Sequence, residues 1–207
     1  MVRRTRAEMM DETRRKLLAS ARTAFAEKGF AETSMDDLTA AVGLTRGALY
    51  HNFGDKKGLF AAVVDQIDAE MANRARSLAD AEDTAWHALL AEGSAYIEMA
   101  LDTEVQRIVL RDGPAVLGDP ARWPSQNRCL DATREAVAQL LVEGLLRPVD
   151  IEAASRLLNG AALNAALWVA ACDDPIEMLP KAQEAFRMLA EGLLASSASS
   201  VMAPASR

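Results

Sequence analysis

The chain has 207 residues, of which 50% are apolar and 5% aromatic, with a net charge of −7, a composition that can build a core and suits helices better than sheet. It excludes a disordered chain. No apolar run follows the basic start and none approaches the roughly 18 residues of a spanning helix, so a signal peptide and a membrane anchor are unsupported and a cytoplasmic protein is expected.

The charge is unevenly distributed. Residues 1–60 carry 11 Lys or Arg against 8 Asp or Glu, a net of +3, which leaves −10 for residues 61–207. A basic head on an acidic body draws phosphate to one end. Arg3, Arg4 and Arg6 open the chain without an acidic partner. They read either as a loose terminus or as an arm lying along a DNA minor groove or backbone. A first helix is expected from about Glu8 to Lys28, with Leu17, Ala21, Ala24 and Phe25 on one stripe and Gly29 as its stop.

The stretch from Thr33 to Phe53, TSMDDLTAAVGLTRGALYHNF, reads as a helix-turn-helix. Ser34 caps the first short helix, with Asp37 three residues on in the capping-box position, and Leu38 and Val42 share a face. Gly43 supplies the left-handed residue that ends a helix, and Leu44 tucks inward. Thr45 caps the second helix. There Leu49 and Phe53 face the core, and Arg46, Gly47, Tyr50, His51 and Asn52 occupy the other sides.

From about Leu17 to Phe60 the chain resembles the DNA-binding half of the tetracycline-repressor (TetR) family of bacterial transcription regulators. The resemblance is carried by Gly29, Phe30, Thr33, Ser34, Leu38, Val42, Gly43, Leu44, Thr45, Gly47, Leu49, Tyr50, Phe53, Lys56 and Leu59 at fixed spacing. Thr39 departs from the family's preferred Ala, and Asn52 from its usual His or Tyr. With the second helix in a major groove, Arg46 is the direct base reader, because its guanidinium can grip guanine O6 and N7 together. Gly47 allows close approach. Thr33, Thr45, Tyr50, His51, Asn52 and Lys56 are expected chiefly on phosphates, and Ser34 joins them as a candidate DNA contact. The resemblance also implies a homodimer reading a palindromic operator on double-stranded DNA.

Beyond Phe53, Gly54 and Asp55 break the chain, and Asp55 caps a helix running from Lys56 to about Leu78. Two lysines at a helix start oppose its dipole, which suggests an external anion. After an acidic hinge at Asp80–Asp83, helices are expected at about 84–101, 104–111, 120–146, 150–172 and 175–195, with Pro124 and Pro180 marking a delayed start or a kink. Arg111 and Asp112 read as a ligand-facing pair or, preferably, as a brace at the chain break. Ala154, Gly160, Ala161 and Ala165, with Leu157, Leu158 and Trp168, make one half of a dimer seam. Phe186, Leu189, Leu193 and Leu194 of the last helix supply the other.

The expected fold is all-α: a helix-turn-helix domain over 1–60, a helical ligand-binding and dimerisation domain over 61–195, and a disordered tail over 196–207. Trp86, Tyr96, Met99, Trp123, Asn127, Asn164 and Trp168 are candidates to line a cavity for a small, mostly apolar effector, or else are ordinary core. Cys129 and Cys172 read as reduced core residues. His51 and His87 lack partners at ligand spacing, so no metal, cofactor or catalytic constellation is expected. The leading function is a ligand-responsive repressor released from DNA by its effector. The alternatives are a helical interaction module that does not read DNA and an all-α enzyme using the cavity.

Overall fold

The computed structural model describes residues 5–195, without the side chains of residues 125–128. Arg3, Arg4, the side chain of Asn127 and the expected tail over 196–207 lie outside the described residues. Among the described residues the chain forms nine α-helices and no sheet, as the all-α reading expects. It divides into two compact units, one of residues 1–68 with 103–120 and the other of residues 69–102 with 121 onward.

The first unit is built on α1 (Arg6–Glu32), capped by a reciprocal box between Thr5 and Glu8. Leu17, Ala21 and Phe25 are its fully buried face. The rings of Phe25 and Phe30 each lie 5.0 Å from that of Phe60, and such ring pairs contribute roughly 0.5–1.5 kcal/mol beyond their buried area. The helical run is interrupted at Gly29, which sits at φ 81°, a conformation that suits glycine. Then come α2 (Met35–Ala40), α3 (Arg46–Phe53) and α4 (Lys56–Ala79). Asp55 caps α4 by accepting from the Gly58 amide at 2.7 Å. The 24 residues of α4 match the expected rod, although the division between the units falls inside it, after Asp68.

Residues 103–120 depart from the linear division at residue 60, because their partners are on α1. A helix break strands backbone groups that need partners. Arg107 Nη2 donates to the Lys28 carbonyl at 2.7 Å, and the Phe30 amide donates to Asp112 Oδ2 at 2.8 Å. Arg22 and Glu104 add a two-pronged ion pair with both bonds at 2.7 Å. Asp112 is thus a brace. The segment Val105–Asp112 is a π-helix rather than the expected α-helix. The Gly113 amide reaches back five residues to Ile108, and Pro114, lacking an N–H, cannot close the tighter ladder there. The short α6 (Gly113–Leu117) follows.

In the second unit, α8 (Ile151–Ala171) packs against α5 (Ala85–Glu98), α7 (Pro124–Val142) and α9 (Pro175–Glu191). Thr84, Asp150 and Asp174 accept from the third amide of α5, α8 and α9 respectively. The long helix expected from residue 120 begins instead at Pro124, after a 3₁₀ turn at Pro120–Arg122 and an extended Trp123. Pro180 is accommodated inside α9. The last helix ends at Glu191 rather than near Ala195, because the chain then pairs as a β-bridge, Leu146 against Leu194. Ring atoms of Phe186 lie 2.3 Å from where a Cβ at Gly93 would stand, so α9 meets α5 through a glycine. Cys129 and Cys172 are half-buried rather than fully in the core, and they form no disulfide among the described residues. Among the described residues no helix is long and apolar enough to cross a membrane.

A Cβ at Gly29 would lie 2.6 Å from Arg107 Nη2 and 3.0 Å from Asp112 Oδ2. Gly29→Ala should therefore combine left-handed strain with displacement of the brace and destabilise the protein by about 1–3 kcal/mol. Urea unfolding measures it.

Candidate functional site

The short helix α2 starts at Ser34, whose Oγ accepts from the Asp37 amide at 3.0 Å, and Leu38 is buried beneath it. Gly43 turns the chain at φ 65°, with the Leu44 amide bonded to the Thr39 carbonyl at 2.9 Å. Thr39, the departure from the family pattern, is buried, and its hydroxyl donates to Met35 and Asp36 carbonyls at 3.0 and 3.1 Å. Thr45 Oγ1 accepts from the Ala48 amide, starting α3. Leu49 anchors α3 in the core, and Arg14 secures its end by donating to the Asn52 carbonyl and lying 4.5 Å above the Phe53 ring.

The other side of α3 is open. Thr45, Arg46, Gly47 and His51 are exposed, and Tyr50 is 52% exposed, so it is not core. Gly47 has no neighbour closer than 3.7 Å to a hypothetical Cβ; nothing within the fold asks for glycine there. Arg46 is held by Asp36 of α2, whose two carboxylate oxygens accept from Nε and Nη2. The hydrogen bonds hold the Asp36 carboxyl below its ordinary range and push the guanidinium further up. Asp36 was not among the residues expected from sequence.

Three expected contacts are differently placed. Thr33 is 3% exposed, and its hydroxyl donates to the Gly29 carbonyl at 2.7 Å, so it closes the break after α1 instead of facing outward. Lys56 Nζ lies 3.3 Å from the Ala31 carbonyl and 4.3 Å from the Phe30 ring centre, with burial lowering its pKa. Its ammonium is spent on the helix end that lost its own partners, while the neighbouring Lys57 is exposed. Asn52 is half-buried, and its amide donates to the Ala48 carbonyl at 2.8 Å.

The second unit contains a cavity of about 30 Å³ between α4, α5, α7, α8 and α9, room for about one water molecule. Of the six candidates whose side chains are described, only Tyr96 lines it. Trp86, Met99 and Trp123 are buried in the core without reaching it, and the Trp123 Nε1 has no acceptor among the described residues. Asn164 is exposed and Trp168 is 47% exposed, because both lie on the outer face of α8. The polar lining that sequence reading missed comprises Glu92, Thr133, Cys129 and Asn159. Burial pushes the Glu92 carboxyl above its ordinary value, with Arg76 drawing it down and Asp80 pushing it further up.

Residues 86–193 match the family model described as "Tetracyclin repressor-like, C-terminal domain", and residues 17–63 match "Bacterial regulatory proteins, tetR family". The chain belongs to the TetR family of transcriptional regulators. A TetR-family transcriptional regulator from Pectobacterium atrosepticum is 48% identical, with a TM-score of 0.83 over 93% of this chain and 99% of that one. The Transposon Tn10 TetC protein of Escherichia coli is 27% identical over 158 residues, 74% of this chain and 78% of its own. RolR, solved with resorcinol, shares the fold at 20% identity, with a TM-score of 0.71 and 98% of each chain covered.

In this TetR-family protein α8 and α9 expose Leu157 (75%), Trp168, Met188 and Leu189, and an added Cβ at Gly160 of α8 would meet nothing within 4 Å. The seam expected from sequence is corrected in part. Ala154, Leu158, Phe186 and Leu194 are buried within the unit's own core. Ala154 and Leu158 of α8 and Phe186 of α9 face inward, and Leu194 lies beyond the end of α9.

Glu92 leads to a pH test. Its folded-state pKa is raised, so its ionisation opposes folding: the cost is absent below the ordinary carboxylate range, grows as pH rises through that range, and is complete above the folded value. Glu92→Gln should stabilise the protein at neutral pH, and the gain should vanish in acid. Urea titrations of both proteins at the two pH values report the difference.

Proposed function

We propose that this TetR-family regulator binds a palindromic operator as a homodimer, places α3 in the major groove, and is released by a small effector held in the cavity of its second unit. The observation that carries the reading is the open side of α3. A glycine stands in the first turn of α3 where nothing in the fold requires one, flanked by exposed arginine, tyrosine and histidine. Glycine is a poorer helix former than alanine, and close approach by an outside partner accounts for keeping it.

Within this reading Arg46 faces base edges. Ser34, Thr45, Tyr50 and His51 take phosphates, where they fix register rather than sequence. Lys57, exposed beside the start of α4, replaces Lys56 as the cation for a phosphate there. Asn52 serves as a brace for α3. The exposed apolar face of α8 and α9 joins two copies, spacing two α3 helices for the two halves of a palindrome. A cytoplasmic location follows from the DNA partner.

The effector site is the Tyr96 and Glu92 cavity rather than the tryptophan-rich one expected from sequence. At about 30 Å³ it is too small as it stands, since drug-sized ligands occupy roughly 300–1,000 Å³. An effector therefore has to enlarge it, and the conformation that accommodates ligand differs from this one. That differential affinity is what any ligand-driven release requires. Several relatives are named repressors, including AcnR of Corynebacterium efficiens, 29% identical over 67% of this chain and 73% of its own, which favours repression.

Gly47→Ala should raise folding stability slightly, by less than the roughly 1 kcal/mol of a helix-interior site, and weaken binding to a selected operator duplex at least about tenfold, a loss of roughly 1.4 kcal/mol. Unchanged affinity, read by fluorescence anisotropy, would refute the groove approach. Independently, Leu157→Glu should give a folded monomer in sedimentation, with operator affinity falling as the second reading helix is lost. A dimer that persists removes this face as the seam.

A further inference from the structure

The two edges of the Arg46 guanidinium are used unequally. Nε and Nη2 are gripped by both oxygens of Asp36. The end-on edge, formed by Nη1 and the second N–H of Nη2, has no partner among the described residues. Guanine offers O6 and N7 as a pair of acceptors spaced for that end-on edge. A planar guanidinium can serve a carboxylate on one edge and a base on the other at once, which an ammonium cannot do.

We propose that Asp36 is a positioning residue for base reading, holding the Arg46 guanidinium so that its free edge meets guanine O6 and N7. The inference rests on the reading of α3 as the groove helix. Neither fold stability nor the helix dipole accounts for the pair as well. Both side chains are more than half exposed, 59% and 63%, and ion pairs so exposed add little to stability. Asp36 also lies in the first turn of α2, where an acid favours the helix dipole, but Asp37 occupies the same turn. The pair carries a disadvantage besides: a carboxylate on the DNA-facing side repels phosphate. Fixing a long, flexible side chain before binding offsets it, because the rotamer freedom is lost in advance and the guanidinium is not released to any nearby phosphate.

The distinguishing property is selectivity, not affinity. Base preferences are measured by selection from a randomised duplex DNA pool with the parent, Arg46→Ala, Asp36→Ala and Asp36→Asn proteins, each verified as folded by thermal melting. Asp36→Asn keeps the size of the side chain should the alanine variant fold poorly. The parent is expected to select guanine at one position of each half-site, and Arg46→Ala to lose it. Asp36→Ala and Asp36→Asn should still bind, with guanine preference there reduced about tenfold and a salt slope steeper by about one unit per half-site, as the released guanidinium turns to a phosphate. The double variant should lose no more preference than Arg46→Ala alone. If Arg46→Ala abolishes the guanine preference while both Asp36 variants keep it within about twofold, the positioning role falls and the groove reading stands. If the parent selects no motif, or Arg46→Ala leaves it unchanged, the base-reading role falls and this inference with it.

Discussion

A helix that stops needs someone to take its last carbonyls and the amides beyond, and in this protein that need is met from about 80 residues away. Gly29 turns left-handed at the end of α1, and Arg107 and Asp112 satisfy the Lys28 carbonyl and the Phe30 amide on either side of it. Phe30 is thereby held against Phe60, and Thr33 and Lys56 close the remaining carbonyls of Gly29 and Ala31. The entry to α2 depends on all of these. The proposed groove helix is therefore placed by a backbone repair as much as by the apolar contacts of Leu38 and Leu49, and a side chain at residue 29 would disturb it at the source.

That repair accounts for where sequence reading succeeded and where it failed. Caps and turns are local: Ser34, Gly43, Thr45, Asp55, Asp150 and Asp174 each act on residues two to four positions away, and each stands where its type implies. Thr33 and Lys56 also matched a pattern, but a pattern does not say which way a side chain turns. Their polar groups satisfy carbonyls freed by the break at Gly29, a demand visible only once the break has a conformation. Residues 103–120 escaped for the same reason. Nothing in their periodicity marks α1 as the surface they cover, and a cut at residue 60 cannot describe a unit whose parts are separated in the chain.

In the second unit the failure was one of facing. Trp168, Asn164 and Leu157 lie on the same helix as Leu158 and Ala162, separated from them by a fraction of a turn, and α8 is apolar on nearly every side. A helix apolar all round has no stripe by which to tell core from seam. The burial pattern resolves it: Ala154, Leu158, Ala162, Ala166 and Val169 face inward, while Leu157, Gly160, Asn164 and Trp168 face outward. Size misled as well. Tryptophans were weighed as cavity walls, yet Trp86 and Trp123 fill space fully, and the small void that remains is bounded by Glu92, Thr133 and alanines.

Those alanines bear on how the two activities are joined. Ala72 and Ala75 line the cavity from α4, whose first turns, from Lys56, belong to the unit that carries α3. Glu92 and Tyr96 line it from α5, and the same chain runs through Met99–Leu101 into the π-helical segment that repairs α1. Two of the three covalent routes from the cavity-lining helices into the first unit thus end on elements that adjoin α2 and α3, one at the Asp55 cap beside Phe53 and the other at Arg107 and Asp112; the third runs from α7 back through Ala121 to α6. A π-helix is an apt carrier for the second route, since its wider ladder lies close in geometry to an α-helix of one residue fewer and such segments are often found at functional sites. In the proposed mechanism an effector that enlarges this cavity has to displace α4, α5 or their neighbours, because the lining is packed and a packed core shifts between arrangements rather than stretching. Displacing either helix would then load a connection whose far end adjoins the proposed groove helix.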